Sequence, residues 1–363
     1  MTRSGPVVHV VGARPNFMKA APVIRALAAS GTAQALVHTG QHYDAALSDV
    51  FFGQLGLPAP DVNLGVGSGS QAAQTAALLV GLEQTFMTTQ PAVAVVYGDV
   101  NSTLAGALAA AKLGIPVAHV EAGLRSFDRT MPEEINRLVT DLLADLCFTT
   151  SPEAIAHLAR EGVAPERIHF VGNPMIDTLL AALPRLDSAA ARHRFGLPER
   201  YAVATVHRPA NVDEPDDARR LVGALADLAA QVPTVLPLHP RGRASLEAAG
   251  LLAIDRLQVV EPLGYLEFMA LVRGATVVLT DSGGIQEETT ILGVPCLTIR
   301  PNTERPITIT HGTNRLVAAG DVAGAVRGIL GGSFAHPPEP PPLWDGHAGE
   351  RIAGVLRSWL EQA

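Results

Sequence analysis

Thr280-Asp281-Ser282-Gly283-Gly284-Ile285-Gln286-Glu287-Glu288 follows an apolar run at 275–279 and precedes helix-compatible residues at 289–292. A buried strand that breaks into Ser-Gly-Gly and re-enters a helix presents unpaired backbone N–H groups at the positive end of the helix dipole. That is a ready site for phosphate. Gly283 and Gly284 let the backbone approach a ligand without a Cβ in the way. Glu287 and Glu288 are expected in the first turn, either as complements of the dipole or as carboxylates that accept hydrogen bonds from ribose hydroxyls. The stretch therefore reads as a nucleotide cradle.

Working outward, short apolar runs alternate with longer helical patterns along the whole chain. Strands are expected at 7–11, 35–38, 92–97, 117–120, 146–149 and 168–171, then at 201–206, 234–238, 257–260, 276–279, 296–299 and 315–317. Helices are expected at 22–29, 104–112, 134–145, 153–161, 217–230 and 265–273, with a last amphipathic one at 348–360. Near-continuous apolar strands alternating with helices mean parallel sheets covered on both faces. The pattern restarts after a polar, proline-marked passage at 172–198. The chain thus reads as two doubly wound α/β domains with a cleft between them, residues 1–172 and residues 173–345. Gly65-Val66-Gly67-Ser68-Gly69-Ser70 looks like a dinucleotide fingerprint but follows no clear strand and reads as a loop. The proline-rich residues 336–342 read as a stiff linker.

Composition narrows the function classes. In 363 residues the net charge is −8, which argues against a general nucleic-acid surface. Hydrophobic residues make up 47% and aromatics only 4%, so the core is expected to be aliphatic. Cys147 and Cys296 lie in apolar runs and read as small buried hydrophobes rather than a disulfide framework. Residues 1–5 lead straight into a strand, leaving no room for a signal peptide, and no apolar stretch suggests a membrane span. A soluble cytoplasmic protein is the expectation.

Ligands of open α/β sheets bind beyond the carboxyl ends of the strands. Arg14 and Lys19 follow the first strand, at a Gly-Ala-Arg-Pro turn suited to an anion. Gln41 and His42 follow the second. Asp99 follows the third, as a cap of the next helix or as a catalytic acid. Glu121 ends a strand, either paired with a cation such as Arg125 or serving proton transfer. Glu133 stands in Thr130-Met131-Pro132-Glu133, a ready capping box. His207 and His239 each follow a strand, as satisfied core histidines or, for His207-Arg208, as part of an anion site. No metal-ligand spacing, nicotinamide fingerprint or serine elbow stands out. Carboxylate acid/base chemistry on a nucleotide-linked substrate remains.

Gly12-Ala13-Arg14-Pro15, Thr39-Gly40-Gln41-His42, Gly98-Asp99, the residues 119–125 and Pro132-Glu133-Glu134-Ile135-Asn136-Arg137 occur in this order. Gly172-Asn173, His207-Arg208, the residues 280–288 and Thr303-Glu304-Arg305-Pro306 follow them. Together they resemble the bacterial non-hydrolysing UDP-N-acetylglucosamine 2-epimerases over nearly the whole chain. The resemblance implies a GT-B-like pair of Rossmann-type domains, with a C-terminal helix (346–363) packing back on the first. It implies interconversion of UDP-GlcNAc and UDP-ManNAc through UDP elimination to a 2-acetamidoglucal and re-addition, with no external cofactor and with a homodimer as the assembly. It matches Asp99, Glu121 and Glu133 to acid/base carboxylates and His207 to a histidine near the diphosphate. It matches Arg14, Lys19, Phe268, Ser282, Gly283, Gly284, Glu288 and Arg305 to UDP-binding positions. Gln41, His42 and His239 fall at a possible second, allosteric UDP-sugar site, although Tyr43 and Asp44 depart from the commoner pattern there. Ala210 departs from a carboxylate found in many members. An epimerase of a related UDP-2-acetamido sugar, a hydrolysing epimerase, a GT-B glycosyltransferase and a non-catalytic UDP-sugar sensor stay open as alternatives.

Overall fold

The computed structural model describes residues 5–40, 53–238, 240–334 and 339–362. The chain forms two compact units, residues 1–181 with 342–363 and residues 182–341. The expected domain limits, 172/173 and 345/346, stand beside observed limits at 181/182 and 341/342. Helix Pro174–Ala182 stays with the first unit because its face is anchored there: Ile176 and Leu179 are buried, and Thr178 donates its hydroxyl to the Met18 carbonyl (2.6 Å).

In the first unit the strands are β1 (Val7–Val11), β2 (Gln34–His38), β3 (Val62–Asn63), β4 (Val93–Tyr97), β5 (Val117–Ala122), β6 (Leu146–Thr149) and β7 (Ile168–Phe170). They form one seven-stranded sheet in the order β3-β2-β1-β4-β5-β6-β7, and every ladder in it is parallel. β1, β4 and β5 are buried at every position, as both faces of a parallel sheet require. One core layer packs Leu78, Leu82 and Phe86 of helix Gln71–Thr89 against Val8, Val10 and Val96, each such side chain contributing about 1.5–3 kcal/mol on burial. That helix escapes the sequence pattern, since Gln and Thr interrupt its apolar face. The loop at 65–70 ends in Ser70, which caps the same helix by accepting from Ala73 N (3.3 Å).

The C-terminal helix Ala348–Glu361 packs on helix Arg14–Ala29. A Cβ on Gly349 would stand 2.7 Å from the Pro22 backbone, so only glycine permits this approach. Asp177 accepts from the N–H groups of Ala348 (3.2 Å) and Gly349 (2.7 Å) and so ties down the start of that helix.

In the second unit the strands are β8 (Ala202–Thr205), β9 (Thr234–Pro237), β10 (Leu257–Val260), β11 (Val277–Thr280), β12 (Cys296–Thr298) and β13 (Asn314–Leu316). Their order is β10-β9-β8-β11-β12-β13, again all parallel. Ala, Val and Leu fill the core, with no large aromatic among its buried members. Both sheets are the doubly wound kind expected. Each reverses direction of growth at one point, between β1 and β4 in the first unit and between β8 and β11 in the second. Such reversals open the crevice where ligands bind. Among the described residues no helix is long and apolar enough to cross a membrane.

Candidate active site

The first unit gathers its polar residues at the β1/β4 reversal. After β1 the chain turns into helix Arg14–Ala29, and the Asn16 side-chain oxygen accepts from the N–H groups of Gly12 and Ala13 (3.1 Å each). The Asn16 amide donates to the Tyr97 carbonyl at the end of β4 (2.7 Å), locking the two turns together. Lys19, one turn along, is 3% exposed and ion-pairs with Glu121, also 3% exposed. The expected partner Arg125 is elsewhere: it bonds Asp141 (2.7 Å) and Glu161 (2.5 Å). Lys19 wins because helix Arg14–Ala29 aims it across the sheet end. The side chain of Arg14 and the residues Gln41, His42 and His239 lie outside what is described.

Glu121 has φ +74°, the left-handed region that a residue with a Cβ seldom occupies. It sits where the pairing of β5 with β6 shifts register between Val120 and Ala122, a bulge. Bulges re-aim side chains, and strained backbone of this kind clusters at functional sites. Gly98 follows β4 with φ +65°, and a Cβ there would lie 2.8 Å from Lys19 Nζ and 3.1 Å from Glu121 Oε2.

Asp99 does not cap the next helix. Helix Asn101–Lys112 has Val100 at its N-cap, without a side-chain bond, and the Ser102 hydroxyl bonds Thr39 Oγ1 instead (2.7 Å). The Asp99 carboxylate ion-pairs with Arg137, and its carbonyl accepts from the Asn136 amide (2.8 Å). The capping box proposed for Glu133 does not form either. Helix Pro132–Leu143 starts after Met131, which has no capping oxygen, and Thr130 donates its hydroxyl to Asp128 (2.6 Å). It is Glu134 that serves structure: it accepts from the N–H groups of Ser126 (3.0 Å) and Phe127 (2.9 Å) and from Arg137 (2.6 Å). Burial opposes its charge, but these donors hold it below the usual carboxylate range. Glu133, half-buried in the first turn, has no such duty.

The second unit builds its cluster at the β8/β11 reversal. Asp281 is fully buried and accepts from the N–H groups of His207 (3.1 Å) and Arg208 (2.9 Å) and from the Asn211 amide (3.0 Å). One carboxylate thus shapes the loop after β8. His207 Nδ1 lies 3.3 Å from the same group, its side chain half in solvent. The Thr280 hydroxyl takes the Ser282 N–H (2.9 Å), and the Ser282 hydroxyl makes no capping bond. Gly283 opens helix Gly283–Leu292, and a Cβ there would meet Arg305 Nη1 at 2.5 Å, so the guanidinium lies against the helix N-terminus. Gly284 follows it in the first turn.

Glu287 and Glu288 lie beyond the first turn of this helix, both buried, and so do not serve as exposed complements of the dipole. Glu287 pairs with Arg305 Nε (2.9 Å). Glu288 is 2% exposed, and burial pushes its carboxyl up to about 8; the Tyr265 hydroxyl offsets this in part and the charge of Glu287 adds to it. Phe268 stands one turn on from Tyr265 along helix Tyr265–Gly274, half-buried. Glu304 is ringed by Arg305, Arg300 (2.6 Å) and Arg208 (3.6 Å); despite its burial, these cations hold it well below the carboxylate range.

Each unit therefore carries a coherent half of the expected residues. Lys19 and Glu121 meet at Gly98 in the first, with Asp99 next in the chain and Glu133 on the helix whose Asn136 and Arg137 hold Asp99. Ser282, Gly283 and Arg305 meet in the second, with Glu288 farther along the helix and His207 on the Asp281 loop. Sequence reasoning gave no role to Asn16, Gly98, Glu134, Arg137, Asp281 or Glu304. Asp281 and Gly98 carried a signal as polar or glycine positions directly after a strand, and Glu134, Arg137 and Glu304 stood in motifs quoted for the resemblance.

A family profile described as UDP-N-acetylglucosamine 2-epimerase matches residues 25–357. The chain is 43% identical over 317 residues to the UDP-2,3-diacetamido-2,3-dideoxy-D-glucuronate 2-epimerase of Pseudomonas aeruginosa, covering 86% of this chain and 88% of that one. It is 39% identical over 359 residues to the UDP-N-acetylglucosamine 2-epimerase of Methanocaldococcus jannaschii, covering 96% and 97%. The crystal structure of the Methanocaldococcus jannaschii UDP-GlcNAc 2-epimerase in complex with UDP-GlcNAc and UDP superposes with a TM-score of 0.90, covering 97% of this chain and 99% of that one. With the family profile spanning most of the chain and the fold in agreement, the chain belongs to the UDP-N-acetylglucosamine 2-epimerase family.

Proposed function

We propose that this enzyme inverts C2 of a UDP-2-acetamido hexose, with UDP-GlcNAc and UDP-ManNAc as the pair it interconverts. The observation that carries this reading is Glu121: a buried carboxylate on a strained bulge, paired with Lys19 and adjoining the Gly98-Asp99 turn. A buried cation–carboxylate pair contributes little net stability, and one set on strained backbone beside an open turn is a candidate for acid/base work.

The C2 proton of the sugar is weakly acidic, so a positioned base must take it as the C1–O bond to UDP breaks. Asp99, Glu121 and Glu133 are the acid/base set. The leaving diphosphate gathers charge, which the Gly283 and Gly284 N–H groups, the Ser282 hydroxyl and Arg305 stabilise, with His207 alongside. Glu288 accepts the ribose hydroxyls, and Phe268 lines the uracil. Arg14 contacts phosphate. Re-addition of UDP to C1 on the face it left, with a proton delivered to C2 on the face opposite the one it was taken from, gives the epimer, and no external cofactor enters the balance.

A second substrate is favoured by one observation, the 43% identity to an epimerase of a diacetamido-glucuronate. Incubation with each UDP-sugar in deuterated water decides between them. The expected result is the C2 epimer with deuterium at C2 from UDP-GlcNAc. Product from the diacetamido-uronate alone selects the second reading. Free ManNAc indicates a hydrolysing enzyme; binding without exchange indicates a sensor, or a glycosyltransferase awaiting an acceptor.

We also infer a cytoplasmic homodimer. Two buried cysteines that remain thiols suit a reducing compartment. Val80 (55% exposed) and Met87 (64%) on helix Gln71–Thr89, with Leu142 (71%) on helix Pro132–Leu143, are apolar surface that a second copy would cover. Light scattering of the purified chain tests this; a monomer at micromolar concentration contradicts it.

A further inference from the structure

Asp141 has no place in the reaction described above, yet it stands at the centre of a buried network. It lies on helix Pro132–Leu143 with 1% exposure. Its Oδ1 accepts from His119 Nδ1 (2.6 Å), and its Oδ2 accepts from Gly123 N (3.0 Å) and Arg125 Nη2 (2.7 Å). Burial alone would raise this carboxyl, but His119 and Arg125 hold it below its usual range.

His119 and Gly123 are the residues on either side of the bulge that carries Glu121. One carboxylate thus grips both ends of the strained segment. The other ring nitrogen of His119, Nε2, meets the Gly98 carbonyl at 2.7 Å. Both partners of the ring, a carboxylate and a backbone carbonyl, are acceptors, so the ring bridges two separate segments. The Gly98 N–H in turn donates to the Val120 carbonyl (2.9 Å). The turn bearing Asp99 and the bulge bearing Glu121 are therefore fixed to each other by that backbone bond and by the Asp141–His119 pair.

We propose that Asp141 and His119 are positioning residues for the proton transfer: Asp141 holds the Glu121 bulge in its left-handed conformation, and His119 holds the Gly98-Asp99 turn against it. This rests on the assignment of Asp99 and Glu121 to the reaction. Left-handed backbone at a non-glycine residue persists only where surrounding bonds over-determine it. Asparagine at 141 would retain one acceptor for the donors of His119, Gly123 and Arg125, and would release the bulge. Glutamine at 119 would hold one side at most.

The test compares Asp141→Asn and His119→Gln with the parent enzyme in deuterium exchange at C2 and in calorimetric UDP binding. A misplacement of the reacting groups by about 1 Å costs about 10²-fold in turnover. We expect kcat to fall by that order in both variants, with UDP stoichiometry and affinity unchanged. Turnover near the parent's in His119→Gln, or loss of turnover that matches loss of UDP-binding sites, overturns the proposal. Nitrogen-15 spectra of histidine-labelled enzyme give a readout that does not depend on activity: one resonance pair, absent in His119→Gln, must shift in Asp141→Asn. A pair that keeps its position in Asp141→Asn contradicts the clamp. A parent enzyme that shows no C2 exchange while that resonance pair is present defeats the functional reading and leaves the clamp standing.

Discussion

The two units carry their functional groups in opposite conditions. In the first, the acid/base groups are largely held before any ligand arrives: Glu121 by Lys19, Asp99 by Arg137 and Asn136. In the second, several groups are left short. The Ser282 hydroxyl makes no capping bond, helix Gly283–Leu292 opens with N–H groups its own turns cannot satisfy, and Glu288 is buried beside another carboxylate. Chemistry needs orientation fixed in advance, whereas binding needs partners still to be supplied. On the proposed assignment, the first unit holds its groups for reaction and the second leaves groups for a ligand to complete.

The sharpest way to break this contrast is Glu121→Gln. Loss of a general acid/base group costs about 10²–10⁴-fold. We expect C2 exchange to fall by about 10³-fold with UDP affinity intact; unchanged turnover removes Glu121 from the reaction.

Next come two glycines, one in each unit. Gly98→Ala puts a Cβ 2.8 Å from Lys19 Nζ on backbone at φ +65°, and Gly283→Ala puts one 2.5 Å from Arg305 Nη1. The first should lower turnover by about 10²-fold through misplaced groups and spare UDP binding. The second should weaken UDP binding and leave the exchange rate of saturated enzyme nearer the parent's. Steady-state kinetics and calorimetry read both; the same profile for the two variants erases the distinction.

Glu288 gives a pH test. Its folded value, about 8, stands above its ordinary 4.5, so the folded protein keeps that proton over an interval where the unfolded chain has lost it. Its contribution to stability is therefore full below about pH 4.5 and is lost as pH rises through about 8. The ionised form is the stronger acceptor for two ribose hydroxyls, so UDP affinity should rise with pH toward 8 and level above it. Denaturant titrations and UDP calorimetry across this range check both slopes. Glu288→Gln should remove its part of each, and slopes that persist unaltered in that variant contradict the assignment.

The smallest effect belongs to Ser282→Ala. One hydrogen bond to a charged phosphate contributes about 1.5–3 kcal/mol, and water recovers part of that at a half-exposed position. UDP affinity should fall by about tenfold; an unaltered dissociation constant argues against the contact.

What the sequence made legible follows the same division. The second unit's cradle was visible because glycines, a strand end and a helix start sit within nine consecutive residues, 280–288. The fold was legible for a similar reason: each buried parallel strand is a local apolar run. The first unit's arrangement was not. Lys19 and Glu121 are separated by most of the sheet in sequence, and nothing local distinguishes Lys19 from Arg125 as the partner. Thr130 to Glu133 spelled a capping box, but Pro132 at the first helical position and the pull of Asp128 on Thr130 left it unformed. The bulge at Glu121 depends on Asp141, which arrives from a later helix.

The most direct measurement is proton exchange at C2. The enzyme is incubated with UDP-GlcNAc in deuterated water and the mixture followed by NMR. The account predicts UDP-ManNAc accumulating to equilibrium, with deuterium at C2 of the product. UDP-GlcNAc bound by the enzyme yet recovered without deuterium, with no epimer formed, would contradict it.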